Sequence, residues 1–294
     1  MSRFTVPEWV KRHNITYNSL DEVPQEVFDR VKAGLEKFKI ENPEVSIVIP
    51  AYNEEKDLLK TLSSLSELQT KYRTELIVSN NNSTDRTQEI IDRCGVKSVF
   101  AKNQGITYAR QEGMEAAKGK FILSADSDTI YPPTWADPLI DALQDTEISC
   151  VYGTYSFIPG TQTTRPALGA YEIVAESFFK VKKIYRECVQ VMGFNFAFRR
   201  EDAFTVGGYE HNLQRHITGR SDDGWMALCL MKVGKLKHIT TKKSRTWTSD
   251  RRLIADGSLG KAFKNRIRKE VSRIGVYLKP ERLTEQTKEY NEAG

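Results

Sequence analysis

The chain has 294 residues, 39% of them hydrophobic, with a formal net charge of +5, and that length suits one large domain with appendages. No apolar run approaches the roughly 18–20 residues that span a bilayer, and the N-terminal MSRFTVPEWVKRHN lacks the apolar stretch of a secretory signal, so a cytoplasmic protein is expected. Cys94, Cys150, Cys188 and Cys229 are too scattered for a zinc ribbon or a disulfide framework and read as reduced, buried thiols.

Residues 1–43 read as an N-terminal extension. Asp21 and Pro24 open a helix in which Val27, Val31, Leu35 and Phe38 recur at helical spacing until Asn42-Pro43 stops it. From Val45 the texture changes. Residues 45–50 (VSIVIP) are a β-branched run closed by proline, the pattern of a buried strand. Leu58, Leu59, Leu62, Leu65 and Leu68 then keep a helical period. Strands at 75–79, 98–101 and 121–123 alternate with helices beginning at 85 and running over 106–117. Such alternation predicts a mostly parallel α/β sheet with helices on both faces, whose ligand lies beyond the carboxyl ends of the strands. After Gln144 the alternation breaks into a strand at 148–155, a loop at 158–166 and an amphipathic helix at 168–185.

The segments that follow the strands carry the chemistry. After the first strand, PAYNEE (50–55) sets an aromatic ring beside amide and carboxylate groups, fit to stack on and bond a base, or simply to start a helix with acidic residues. After the second, NNNSTDRT (80–87) supplies turn and cap residues, with an outer asparagine left to present an amide to a ligand. After the fourth, Asp126 and Asp128 stand one residue apart on a turn leaving a buried strand. Their repulsion is relieved by a hard divalent cation, Mg2+ or Mn2+, which takes one or two carboxylates plus substrate phosphates. Further on, Ser221 can cap a helix whose first residues, Asp222 and Asp223, either serve its N-terminus or provide a general base. Arg245, Arg251 and Arg252 flank Trp247 in a segment suited to phosphate.

In order, the segments VSIVIPAYNEE, NNNSTDRT, KNQGITYARQEGMEAAKGKFILSADSDT, GFNFAFRRE, FTVGGYE and SDDGWMALCLMKVGK resemble the family-two inverting glycosyltransferases with a GT-A fold, across residues 45–252. The resemblance implies a Rossmann-like α/β fold with a mixed, mostly parallel central sheet. Residues 44–145 would be its nucleotide-sugar-binding half, 146–257 its acceptor half and 258–294 a basic tail. Pro50, Ala51, Tyr52 and Glu54 would line the nucleoside pocket. Asn80 stands where the family usually has an aspartate on the base, which leaves the base less certain, with a UDP-sugar as first choice. Arg110 would approach the donor phosphates. Asp126 and Asp128 would form the D-x-D metal site, with Asp128 in direct contact. Gly193 and Asn195 would shape the acceptor side. Asp223 would be the catalytic base, with Asp222 in the place of a frequent glutamate. Arg251 and Arg252 would close over the diphosphate. The implied reaction moves a sugar from a nucleotide-diphosphate sugar to a hydroxyl of a carbohydrate or lipid-linked acceptor, as in cell-surface glycan assembly. Some relatives take a third metal ligand from a C-terminal histidine, but His211, His216 and His238 precede TWTSDRR and none matches.

Other classes fit less well. Neither G-x-G-x-x-G after the first strand nor G-x-x-x-x-G-K-[ST] is present. Nucleic-acid binding would account for the basic stretch 232–273, with fourteen Lys/Arg against three Asp/Glu, but it leaves Asp126, Asp128 and Asp223 without a purpose. A catalytically silent sugar-nucleotide-binding or scaffold protein is the alternative. In the tail, Leu259, Phe263, Ile267, Val271, Ile274 and Leu278 form a stripe among lysines and arginines. Such a helix, over 258–280, either packs on the domain or makes peripheral contact with the inner face of a membrane.

Overall fold

The computed structural model describes residues 3–209, 221–255 and 257–277. Helices α1 (Glu8–His13) and α2 (Gln25–Leu35) precede β1 (Val45–Ala51), α3 (Leu58–Ser66), β2 (Thr74–Asn80), α4 (Thr87–Cys94), β3 (Lys97–Phe100), α5 (Ile106–Ala116) and β4 (Phe121–Ser124). Then come β5 (Thr129–Ile130), α6 (Ala136–Leu143), β6 (Ile148–Gly153), β7 (Tyr155–Ile158), α7 (Arg165–Lys183) and β8 (Phe196–Arg199). The helix Asp222–Leu230, β9 (Lys235–Ile239), β10 (Thr246–Ser249) and the helices Arg251–Ile254 and Leu259–Ser272 follow.

The larger sheet has the order β3-β2-β1-β4-β8-β6-β9, and only β8 runs antiparallel to its neighbours. The smaller sheet has the order β5-β10-β7. The apolar strands alternate between two cores, because successive side chains point to opposite faces. Val45, Ile47, Ile49, Leu76, Val78, Phe121 and Leu123 pack with α2, α3, α4 and α6 on one face. Val48, Ile77, Ile122, Phe196 and Phe198 pack with Met114 and the Trp225–Leu230 side chains on the other. The fold is GT-A, and β1 to β4 fall within a residue or two of the positions expected from sequence.

Three regions sharpen or correct the reading. The strand expected over 148–155 is two strands, because the chain leaves the large sheet at Thr154 and enters the small one as β7. The segment before β1 is built into the body: Phe28, Val31 and Leu35 join the main core, and Val10 packs with Ile130, Ile158 and Trp247 against the small sheet. The helix Leu259–Ser272 docks on α7. Arg266 donates to the Tyr171 hydroxyl at 2.8 Å, and Lys182 pairs with Glu270 at 2.6 Å in a buried contact. Val271 and Ile274 are 56% and 40% exposed, so part of the stripe stays uncovered, while Leu278 lies outside the described residues. All four cysteines are buried and free. Among the described residues, no helix is long and apolar enough to cross a membrane.

Candidate active site

A cleft of about 990 Å³ opens beyond the carboxyl ends of β1 and β4. Pro50, Ala51, Tyr52, Glu54, Arg110, Asp126, Asp128, Gly193, Asp222, Asp223 and Arg252 all line it, so most of the expected residues are brought together.

Local bonding explains how each is held. The loops after β1 and β2 are tied together: Thr84 N donates to Asn53 Oδ1 at 2.8 Å and Glu54 N to Thr87 Oγ1 at 2.8 Å. The loop carrying Asp126 and Asp128 is clamped from α3. Buried Thr61 donates to the carbonyls of Ser127 and Thr129 at 2.8 Å each and accepts from Thr129 N at 3.1 Å. The Asp126 amide donates to the Tyr131 hydroxyl at 2.9 Å, which donates on to Phe194 O at 3.0 Å. Ser221 caps the helix Asp222–Leu230 by accepting from Gly224 N, which fixes the second acidic pair at that helix's first turn.

Arg110 connects the two acidic pairs. Its Nη2 bonds Asp126 Oδ1 at 2.8 Å, and its Nε lies 2.7 Å from Asp222 Oδ2. Nη1 donates to Ser124 Oγ at 2.5 Å, which donates to Gly193 O at 2.7 Å. A Cβ on Gly193 would lie 2.1 Å from Arg110 Nη2, so only glycine fits beside this guanidinium. One carboxylate of each pair is thus neutralised from behind, and the other is left facing the cleft.

Those two, Asp128 and Asp223, are both held above the usual carboxylate range, by burial first and then by the adjacent Asp126 or Asp222 charge. Their supports differ. Asp223 accepts from the Gly193 amide at 2.6 Å and the Gly224 amide at 2.8 Å. Asp128 faces side chains instead, with Arg251 Nη2 at 3.5 Å. Arg251 also reaches Glu54 at 2.9 Å and Asp57 at 3.0 Å, drawing the end of the chain onto the loop after β1. Burial pushes the Glu54 carboxyl up to about 7 despite that pair, and its Oε2 is buried with no hydrogen-bond partner.

This donor set fits a hard divalent cation. Asp128 and Glu54 offer buried carboxylate oxygens whose charge is poorly compensated, which a cation would relieve. Among the described residues no group of three His, Cys, Asp or Glu stands ready to hold a metal alone. A cation completing its shell from substrate phosphates matches that count.

Two of the expected residues are placed behind the cleft lining. Asn80 is buried under the cleft wall, where its Oδ1 accepts from Ser83 N at 3.0 Å and its Nδ2 donates to Gln88 at 2.7 Å. Its work is to build the turn, and the neighbouring Asn81, at the edge of the cleft, is equally engaged, its Nδ2 donating to Asn103 O at 2.7 Å and its Oδ1 accepting from Gly105 N at 2.8 Å. Asn195 is likewise buried as a brace. It accepts from Trp135 Nε1 at 2.8 Å and donates to the carbonyls of Thr154 and Ser244 at 2.8 and 3.0 Å, holding β8, α6 and the strand crossover together. Sequence reasoning passed over Asp57, Thr61 and Tyr131. The one available signal was the hydroxyl at 61 inside an apolar helix face. His238 lies in β9, and His211, His216, Gly219 and Arg220 lie outside the described residues.

The comparison with protein families decides the relationship. The model for glycosyl transferase family 2 matches residues 46–205, more than half of the chain. The chain belongs to that family. An uncharacterized glycosyltransferase of Haemophilus influenzae is 27% identical over 222 residues, covering 70% of this chain and 86% of that protein. The putative glycosyltransferase EpsH of Bacillus subtilis is 26% identical over 168 residues, covering 55% and 48%. The chain spans about half the length of two of the curated relatives it matches, 48% of EpsH and 53% of an uncharacterized Methanocaldococcus jannaschii protein. Among solved structures, the mannosyltransferase PcManGT of Pyrobaculum calidifontis, in complex with GDP-Man and Mn2+, superposes with a TM-score of 0.55 at 18% identity, covering 88% of this family-two chain and 74% of that one. S. aureus TarS 1-349 with UDP gives 0.53 at 17% identity, covering 70% and 60%.

Proposed function

We propose that this chain is a metal-dependent inverting glycosyltransferase that moves a sugar from a nucleotide-diphosphate sugar to an acceptor hydroxyl in glycan assembly. The observation that carries this is Asp223: a buried carboxylate, aimed by two backbone amides, in the same cleft as Asp126 and Asp128. Family membership and the GT-A fold support the donor class. A UDP-sugar is the first choice, because the Escherichia coli relative WfgD, 30% identical over 118 residues, is named as a UDP-Glc-dependent glucosyltransferase. The same relative's diphosphoundecaprenol acceptor supports a lipid-linked acceptor here, and the exposed Val271 and Ile274 among basic residues support peripheral contact with a membrane.

In this reading Tyr52 meets the nucleoside, and Asp128 with Glu54 or Asp126 holds the cation. A bound Mg2+ or Mn2+ offsets the charge that develops on the departing diphosphate. Arg252, and Arg251 released from Glu54 and Asp57, add to that effect from the protein side. Asp223 accepts the proton of the attacking hydroxyl. Its raised pKa, set first by burial and then by the Asp222 charge, makes it a better base than an ordinary carboxylate. The carboxylate's fixed position sets the line of attack on the face opposite the leaving group. Arg110 supports Asp223 indirectly, through Asp222 at 2.7 Å and through the Gly193 carbonyl at 3.3 Å, and lies in the cleft on the side of the donor phosphates.

The test is Asp223→Asn. Transfer should fall about 10²–10⁴-fold, the usual contribution of a general base, while Mn2+-dependent UDP binding stays within threefold of wild type. Unchanged turnover would remove Asp223 from this role, and a wild type that binds UDP without transferring to any acceptor would favour the silent binding protein.

A further inference from the structure

Behind the aromatic wall of the cleft lies a separate cavity of about 390 Å³ between β7, α7 and β9. A neighbouring pocket of about 520 Å³ touches the same Arg3, Thr240 and Arg245, so Arg245 stands where the two meet. The main cavity has aromatic walls. Tyr155 packs edge-on against Phe157 at 5.4 Å, and His238 stacks on Tyr152 at 4.6 Å. Its charges do not balance: Arg3, Lys180, Lys183 and Arg245 line it against Glu172 and Glu176. Both carboxylates are already engaged, Glu172 by Arg165 at 2.6 Å and Glu176 by Arg3 at 2.7 Å.

Arg245 is left over. Among the described residues its guanidinium has no carboxylate within ion-pair distance, only long contacts to Tyr155 O at 3.4 Å and Ser156 Oγ at 3.3 Å. Burial, with the nearby Arg3 charge, holds its pKa below the usual value against the opposing pull of Glu176 and Glu172. A half-buried guanidinium whose nearby carboxylates are paired with other arginines is costly, and its planar fork is matched to the paired oxygens of a phosphate or carboxylate. The cavity shares a wall with the cleft. Phe157 lines both spaces, and Tyr155 packs on Phe194, at the cleft edge, at 5.2 Å.

We infer that the cavity centred on Arg245 binds a phosphate or carboxylate carried by a sugar, seating the remote end of an anionic acceptor glycan while its hydroxyl reaches Asp223. The acceptor assignment rests on the transferase reading above; the anionic-sugar site itself does not. The aromatic walls take the apolar faces of the sugar, and Arg245 takes the oxyanion, with Lys180 and Lys183 at the exposed rim.

Calorimetry on the full chain tests this with glucose 6-phosphate and glucuronate as probes and glucose as the neutral control. At least one charged sugar should bind tenfold or more tighter than glucose, and the tighter of the two names the anion. Arg245→Gln should remove that advantage. The double variant Lys180→Glu/Lys183→Glu, confined to exposed positions, should weaken the charged sugar several-fold without risk to folding. UDP binding with Mn2+, measured on the same samples, should not change. The site is overturned if neither charged sugar binds better than glucose, or if both variants bind as wild type does. Inorganic phosphate binding as tightly as glucose 6-phosphate would remove the sugar from the assignment. Loss of UDP binding in wild type, with the charged-sugar results as expected, would sink the transferase reading and leave the site standing.

Discussion

The two acidic pairs of the cleft are built from opposite materials. Asp126 and Asp128 leave the end of a strand, and Asp222 and Asp223 begin a helix. Arg110 neutralises the first member of each pair, and burial with the remaining like charge raises the pKa of the second. What differs is the support of the second member. Backbone amides fix Asp223 in one geometry. Asp128 faces Arg251, a half-exposed side chain shared with Glu54 and Asp57. A carboxylate aimed by backbone suits a group whose direction matters, such as a base. One balanced by a movable cation suits exchange of that cation for another.

The contrast can be broken most directly at Asp128. Asp128→Asn should cost tenfold or more in Mn2+-dependent UDP binding, the reverse of Asp223→Asn, which should spare binding and lose turnover. Both properties falling together in both variants would erase the distinction. Arg110→Met tests the shared element. It abandons two buried carboxylates, so urea unfolding near pH 8 should show a loss of about 3–5 kcal/mol, the cost of breaking a buried pair. Leaving buried charge without a partner is costly only while the charge is present, so the loss should shrink as the pH falls. A loss that does not depend on pH would place the damage in packing instead.

A smaller effect concerns Asp223 itself. In the role proposed for it Asp223 works only when ionised, and its pKa is raised by burial, then by Asp222, with Ser221, Arg110 and the Gly224 amide opposing. With donor and metal saturating, kcat/KM should therefore fall on acidification at a pH above that of an ordinary carboxylate, near 3.9. A profile flat down to about pH 4 would contradict this. The smallest change is expected from Arg251→Gln. Without the competing guanidinium, Mn2+ should bind the donor-free protein more tightly by about 0.2–1 kcal/mol, the range for partly exposed ion pairs. Weaker Mn2+ binding in a titration would show that Arg251 supports the cation rather than competing with it.

Much of this was legible in the sequence because strand ends and helix starts are written locally. The run VSIVIP and the turn residues after each strand placed β1 to β4, and D-x-D and SDD carried their chemistry with them. Facts that depend on which way a side chain turns were not legible. Three successive asparagines gave no sign that Asn80 would build the turn and Asn81 tie down the loop after β3. Asn195 looked like a cleft residue beside Gly193, but the strand crossover at Thr154 consumes its amide. That Arg110 serves both acidic pairs could not be read either, since its partners lie 16 and 112 residues away.

The strap formed by Arg251 has a consequence for how the molecule is made. Its partners Asp57 and Glu54 precede it by 194 and 197 residues. During synthesis the N-terminal part folds first. The cluster of Glu54, Asp57 and Asp128 therefore stands without its guanidinium until the last fifth of the chain has emerged. The emerging half-site is an acidic mouth with Lys60 at Asp57 as an early partner, and the arrival of Arg251 tempers its appetite for other cations.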